Sequence, residues 1–480
     1  MTLRRFAATC VAVALLFSPL SAAAGDVKKK EEAAASIEKR KAELTRMSDQ
    51  IWAFAETALR ETRSAKLLAD YAEAQGFQVQ RGVAGMPTAF VASYGSGKPV
   101  IGIMGEYDAL PGISQKTSPV KEALEAGAPG HGCGHNVFGT ASLAAAVAIK
   151  ELIAAGKLKG TIRFFGTPAE ESIGGKIYML REGLFRDVDV MLVWHPDDQT
   201  KADNDGFQAN VQFFVDFKGK TAHAAADPWN ARSAADGMEL FANGVNMMRE
   251  HVKPTVRMHY IMQKAGDVPN VVPDYARIWI WLRDSRRAGV DELFSRVKDI
   301  ARGAALMAGV ESTVILQTGY SDENILESGL KLLHTNMTWV GPIQYTAEEQ
   351  EFARTIQRAT GKTTKGLDGS IQPLKTIASD PPGGSSDVGD VSWNLPTLHF
   401  YATTAPVDAP WHAWPVVASG GMSIGHKGMM FAAKTLAATA VDLFEDAATR
   451  DAIRAEFAAK TKGIVYKPSI PDGPPPVPKQ

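Results

Sequence analysis

Residues 99–112 read PVIGIMGEYDALPG, an unbroken apolar run that passes directly into two acids, Glu106 and Asp108. A short apolar run without alternation is the pattern of a strand buried on both faces. The pattern recurs twice. Residues 161–166 (TIRFFG) lead into TPAEES, with Glu170 and Glu171, and 188–194 (VDVMLVW) lead into His195-Pro196-Asp197-Asp198. Helical patterns alternate with these runs: 30–76 is alanine-rich, charged and closed by Gly76, and 139–157 (GTASLAAAVAIKELIAAGK) has an apolar face. Strands alternating with helices predict an α/β fold whose mostly parallel sheet carries helices on both faces.

Near residue 206 the texture changes. Residues 208–218 (QANVQFFVDFK) alternate like a half-exposed strand, followed by a helix at 233–250, strands at 256–263 and 276–283, a helix at 290–308 and a strand at 311–318. This β-α-β-β-α-β order predicts a ferredoxin-like α+β insert with an antiparallel sheet. The expected layout is a first domain over 25–206 and 324–466, interrupted by an insert over 207–323. The first domain ends in a helix at 427–444, before a proline-rich surface tail at 467–480.

The first 24 residues place Arg4 and Arg5 before an apolar run and small residues at Ala22 and Ala24. That is the layout of a cleavable secretory signal and predicts export, to the periplasm. The run is shorter than the ~20 residues a membrane span needs, and no later stretch reads as long and apolar enough to cross a bilayer. The ~455 residues that remain are too many for one hydrophobic core. Lys plus Arg total 52 against 53 for Asp plus Glu, so there is no broad basic field for nucleic acid or a membrane surface. KKKEE at 28–32 reads as the solvated start of a helix.

Loss of the signal would remove Cys10 and leave Cys133 alone, with no intramolecular disulfide possible. A lone cysteine is ordinarily a packing residue, but this one sits in GHGCGHN, residues 130–136. In an open α/β sheet, ligands bind beyond the carboxyl ends of the strands, and four polar clusters belong to that edge here. Cys133 and His135 are two apart, so both face one side of an extended loop. Thiolate, imidazole and carboxylate together suit Zn²⁺ and also hold Mn²⁺ or Co²⁺. Of the adjacent pair Glu170-Glu171, one can be a ligand and the other can take a proton from water. Two rival readings make Cys133 a nucleophile with His135 or His131 as base, or make the chain a binding protein without catalysis. The histidines at 251, 259, 334 and 399 carry no motif and read as structural or surface residues.

These motifs resemble the M20 metallopeptidase family in its amidohydrolase branch. So do KGKTAHAAADPWNARSAADG (218–237), DVPNVVPDYA (267–276), GGSSDVGDVSW (383–393) and SIGHKGMM (423–430). The resemblance covers nearly all of the chain beyond the leader. It implies a zinc-peptidase-like catalytic domain with two divalent metals, Zn²⁺ or Mn²⁺, and an inserted lid through which a homodimer forms. Cys133 would be the bridging ligand, His135, Glu171 and His195 further ligands, and Glu170 the general base, with Asp108 among the catalytic residues. The last ligand would be a histidine shortly before the final helix, for which His412 in APWHAW is favoured over His426. His223 would reach the partner's site and stabilise the oxyanion. Asn270 and Arg283 would hold the substrate and its carboxylate, for which a guanidinium fork is suited. Ser386 would line the pocket. Asn136 departs from the branch, which often has aspartate there, and Glu-Tyr-Asp stands where relatives carry Arg-x-Asp. The implied activity is metal-dependent hydrolysis of a small amide bearing a carboxylate, an N-acyl or N-aroyl amino acid of the aminobenzoyl-glutamate kind. The alternative is an exported dipeptidase or carboxypeptidase of the same family.

Overall fold

The apolar runs become the middle of one sheet. The computed structural model describes residues 26–478, so the expected signal and Cys10 lie outside the described residues. Strands β1 (Gln78–Arg81), β2 (Phe90–Ser96), β3 (Val100–Gly105), β4 (Gly160–Gly166), β5 (Val190–Asp197) and β6 (Lys201–Ala202) precede the insert. Within the insert come β7 (Ala209–Lys218), β8 (Arg257–Lys264), β9 (Tyr275–Asp284) and β10 (Glu311–Tyr320), and after it β11 (Thr397–Thr403). The first sheet has the order β1-β2-β4-β3-β5-β11-β6. Its middle strands β4, β3, β5 and β11 are parallel, and the outer pairings are antiparallel. Every residue of β3 is buried, as its unbroken apolar run requires. Strand β11, from after the insert, pairs with β5 from before it, so the two outer parts of the chain build one sheet.

Helices His135–Ala154 and Ser423–Glu445 pack on each other and on this sheet. The first begins at His135, not at 139, because Gly134 in the left-handed region (φ 75) turns the loop directly into the helix. A Cβ at 134 would lie 2.9 Å from Pro196. Cys133 and His135 are therefore aimed by a left-handed turn, not by an extended loop. With this earlier start the helix is long and apolar enough to cross a membrane, against the sequence expectation, but 78% of that stretch is buried inside the protein.

The second sheet has the order β10-β7-β9-β8, all antiparallel, with helices Ala234–Met248 and Arg287–Ala308. It reproduces the expected β-α-β-β-α-β order. Residues of β9 alternate in burial along the whole strand, and its inward Ile278 and Ile280 join Phe213, Phe217, Phe241 and Val297 in a separate core.

Several local expectations are corrected. The helical region near the N-terminus is three helices, Val27–Lys39, Lys41–Phe54 and Thr62–Ala74. Lys30 of KKKEE is buried, not solvated: its Nζ donates to Asn336 Oδ1 (2.8 Å) and Asp442 Oδ2 (2.7 Å). Strand β5 runs on through His195 to Asp197, since β11 continues to pair with it there. The last helix of the sheet layer starts at Ser423, and a further helix, Ala447–Thr461, follows it. The tail is anchored where Ser469 pairs with Gly319 of β10.

Gly134→Ala should destabilise the protein by about 1–3 kcal/mol, from backbone strain plus the contact with Pro196. Urea denaturation checks this: a lower midpoint at unchanged slope is expected.

Candidate active site

The four parallel strands all deliver polar groups at their carboxyl ends, as expected of such a sheet. Glu106 and Asp108 follow β3, Glu170 and Glu171 follow β4, His195 lies two residues before the end of β5, and His412 lies in the loop after β11. Cys133 and His135 come from the loop leading into helix His135–Ala154. Gly132 allows the loop carrying His412 to approach: its carbonyl accepts from His412 N (3.1 Å), and a Cβ there would lie 3.3 Å from His412 Cα. Ala169 (φ 63) and His412 (φ 54) both adopt the left-handed conformation, which costs non-glycine residues about 1 kcal/mol or more and concentrates at functional sites. Tyr320 holds the turn at Glu170 by donating its hydroxyl to that residue's carbonyl (2.8 Å).

Cys133 Sγ lies 3.5 Å from His195 Nε2 and 3.6 Å from His412 Nε2, and His412 Nε2 lies 3.5 Å from Glu171 Oε2. Around a tetrahedral cation with bonds of roughly 2.0–2.3 Å, neighbouring ligand atoms stand about 3.3–3.6 Å apart. Three possible ligand triplets form here: Glu106-His135-Glu170, and two that share Cys133, namely Cys133-His135-His195 and Cys133-Glu171-His412. His135 Nδ1 faces Asp108 Oδ1 at 2.9 Å, and His195 Nδ1 faces the Pro196 carbonyl at 2.7 Å. Donation from Nδ1 leaves each Nε2 lone pair free for a cation. Asp108 Oδ2 also accepts from Glu171 N (3.0 Å), so one carboxylate orients two of the ligands. His426 is elsewhere, paired to Asp49 at 2.7 Å, and the structure brings His412 to the cluster instead. His131 pairs with the Ile51 carbonyl (3.0 Å), and burial and nearby His135 push its pKa down to about 4.

The residues present fit two divalent cations. Buried Glu171 Oε1 has no hydrogen-bond partner, and Glu106 Oε2 and His135 Nε2 face only each other, at 3.0 Å; bound cations would satisfy all three. The electrostatics agree. Burial, with Glu106 and Glu171, pushes Glu170 well above the usual carboxylate range. Glu171 is pushed up to about 8 by burial, which Asp108 reinforces and His135 opposes. Burial and Glu171 push the Cys133 thiol up. Burial would depress His135, but Glu106 and Asp108 hold it well above the usual histidine range, while burial and His135 take His195 down to about 3. A site this electronegative attracts positive charge.

Sequence reading missed Lys176. Its fully buried ammonium donates to Glu106 Oε1 (2.6 Å) and Asp387 Oδ1 (2.7 Å), although it sits in the apolar stretch GKIYML. A lone lysine in a buried helical run is the signal that was available. Around the cluster opens a cleft of about 540 Å³, lined also by Trp281, Arg283, Tyr401 and Trp411. Arg283 stacks on Trp281 (5.2 Å) and donates to Ser385 Oγ (2.7 Å). Ser386 lines the cleft too, but its Oγ accepts from Val388 N (3.2 Å) and stabilises the turn before a short helix. His223 and Asn270 do not line this cleft. They lie together on the exposed edge of the insert, joined through Ala224 N and the Asn270 carbonyl (3.0 Å) and a bridge between His223 and Val271.

Side chains that fit two divalent cations, with a carboxylate beside them at the carboxyl edge of a parallel sheet, are the equipment of a metal-dependent hydrolase. The chain belongs to the peptidase family M20/M25/M40, whose profile matches residues 102–413. It is 38% identical to a p-aminobenzoyl-glutamate hydrolase subunit of Escherichia coli (strain K12), over 91% of this chain and 96% of that one. It is 28% identical to the Xaa-Arg dipeptidase of Mus musculus, over 90% and 92% of the two chains. The fold is shared with a dinuclear metal-binding peptidase of the M20 family from Bacillus subtilis, with TM-score 0.58 at 17% identity over 85% of this chain and 99% of that one.

Because Cys133 and Glu171 must both lose protons to ligate, cation uptake at pH 7 should release protons, and affinity should rise as pH approaches and passes about 8. Calorimetric titration with Zn²⁺ or Mn²⁺ in two buffers of different ionisation enthalpy measures this. Heats that do not depend on the buffer would contradict the ligand set.

Proposed function

We propose that this protein hydrolyses the amide bond of an N-acyl or N-aroyl amino acid, using two divalent cations, Zn²⁺ or Mn²⁺, held by Cys133, His135, Glu171, His195 and His412. The observation that carries the reading is the shared place of Cys133 in two ligand triplets, with Glu170 beside them in the same cleft as Arg283. The E. coli relative named for aminobenzoyl-glutamate supports the substrate class. Bound there, the cations would polarise the amide carbonyl and make a nearby water more acidic.

The chain's own groups do the rest. Glu170 takes the proton of the attacking water on its carboxylate and returns it to the leaving nitrogen, a task suited to a carboxyl whose pKa burial has raised. The Arg283 guanidinium, oriented by Ser385 and Trp281, receives the substrate carboxylate. Trp411 and Tyr401 offer flat apolar surface for an aroyl group. His223 accepts from Ala225 N (3.2 Å) and Ala226 N (3.1 Å) at Nδ1, so its proton sits on Nε2 and can be donated to an oxyanion. Since His223 is exposed and away from its own chain's cleft, it serves the cleft of a second copy in a homodimer. Residues 1–24 export the chain to the periplasm and are removed there. A second reading, hydrolysis of a dipeptide ending in a basic residue, is favoured by the Asp197 and Asp205 carboxylates in the cleft and by the Xaa-Arg dipeptidase relative.

Glu170→Gln should lower kcat for aminobenzoyl-glutamate by roughly 10²–10⁴-fold with cation stoichiometry unchanged. Comparing that amide with acyl amino acids and Xaa-Arg dipeptides decides the substrate class. Preference for the dipeptides would favour the second reading. Glu170→Gln and His223→Ala chains co-expressed should regain about a quarter of the wild-type rate, since half of random dimers pair one intact Glu170 with the partner's intact His223. No recovery would rule out donation across the dimer.

A further inference from the structure

The chain crosses between the two sheets twice, over residues 203–208 and 321–326. Asp203 lies on the first crossover and Glu323 on the second. His399 lies on β11 between them, so a residue with no motif in the sequence meets both crossovers. His399 Nδ1 is 3.1 Å from Asp203 Oδ2 and 3.4 Å from Glu323 Oε1. Their relative exposures are 1% for Asp203, 5% for Glu323 and 3% for His399.

Asp203 Oδ2, Glu323 Oε2 and His399 Nδ1 are buried without a well-formed hydrogen bond, although Asp203 Oδ2 and His399 Nδ1 stand 3.1 Å apart. Asp203 is held in place by its other oxygen, which accepts from Asp205 N (3.0 Å) and Gly206 N (2.9 Å). Its free oxygen is thereby aimed at the other two side chains. Separations of 3.1 and 3.4 Å are short enough for the three side chains to meet one cation with bonds of about 2.0–2.2 Å, and are tighter than those of the catalytic cluster.

Charge supports the same conclusion. A neutral imidazole and two carboxylates carry two negative charges in a dry interior, and one divalent cation makes the group electroneutral. Protein groups alone must compensate with protons. Glu323 also lines a pocket of about 230 Å³, together with Asp205, Arg286 and Lys460.

We propose that Asp203, Glu323 and His399 form a third divalent-cation site, separate from the catalytic pair and taking an ion such as Zn²⁺ or Mn²⁺. The ion clasps both crossovers to β11 beneath the cleft. His399 stacks on Tyr401 (4.7 Å) and Phe207 (5.2 Å), both of which line the cleft, so the clasp also fixes part of its floor. This inference does not rest on the substrate or reaction proposed above.

Crystals of the full chain soaked in Mn²⁺ should show an anomalous peak among Asp203, Glu323 and His399, besides the peaks at Cys133. Elemental analysis after dialysis against Mn²⁺ should give three ions per wild-type chain, two for His399→Gln or Glu323→Gln, and one for Cys133→Ser/His412→Ala. A wild-type crystal with catalytic peaks but none at the triad overturns the proposal and leaves a proton-bound clasp. So does a folded His399→Gln variant that keeps the wild-type stoichiometry. If the variants fail to fold, the wild-type anomalous map decides alone.

Discussion

The Lys176 ammonium, buried between Glu106 and Asp387, is the contact on which the site's architecture depends. It joins the end of β3, helix Gly175–Arg181 and the loop before the short helix Val388–Ser392, three segments far apart in the chain. It also supplies positive charge to a region crowded with carboxylates. Burial would depress the lysine, but Asp387 and Glu106 keep it charged, and Lys176 with His135 in turn keeps Glu106 ionised against its own burial. Removing one partner of such a buried pair ordinarily costs several kcal/mol, because the other charge is left without compensation. The ligands thus rest on a charged scaffold that holds its shape through protein groups alone.

On that scaffold the metal-binding side chains divide their labour. Asp108 orients His135 through Nδ1 and receives Glu171 N, while the Pro196 carbonyl orients His195. Each imidazole is presented through Nε2, and the single cysteine takes the position that two cations can share. A thiolate in this role would account for a lone cysteine beside two histidines, since a bound cation would keep it deprotonated and shield it from oxidation.

The insert adds a cleft wall to the catalytic edge. Its strands β9 and β10 bring Trp281, Arg283 and Tyr320 to the cleft, and its exposed edge carries His223 and Asn270 outward. The crossovers that position this wall meet at His399. Substrate recognition and the geometry of the junction between the sheets are therefore linked through β11, which also leads to His412.

Much of this was legible in local patterns. Unbroken apolar runs ending in acids or histidine marked strands buried on both faces; the alternation of 208–218 marked β7 as a strand but not a half-exposed one, since all of it except Phe214 and Lys218 is buried between β10 and β9. Glu170, Glu171, Cys133, His135 and His195 stand at strand ends or helix starts, where chemistry follows directly on such a run. Other features were invisible for a physical reason: they depend on contacts between distant segments. The burial of Lys30 and Lys176 is set by carboxylates hundreds or tens of residues away; His412 was favoured over His426 through the resemblance alone, and what carries it to the cluster is a left-handed loop passing against Gly132. The extension of β5 through His195 came from pairing with β11, and the meeting of Asp203, Glu323 and His399 from two crossovers closing on one strand. Local sequence sets which segments become strands and helices; only their packing decides which charges are brought together and left to share a cation.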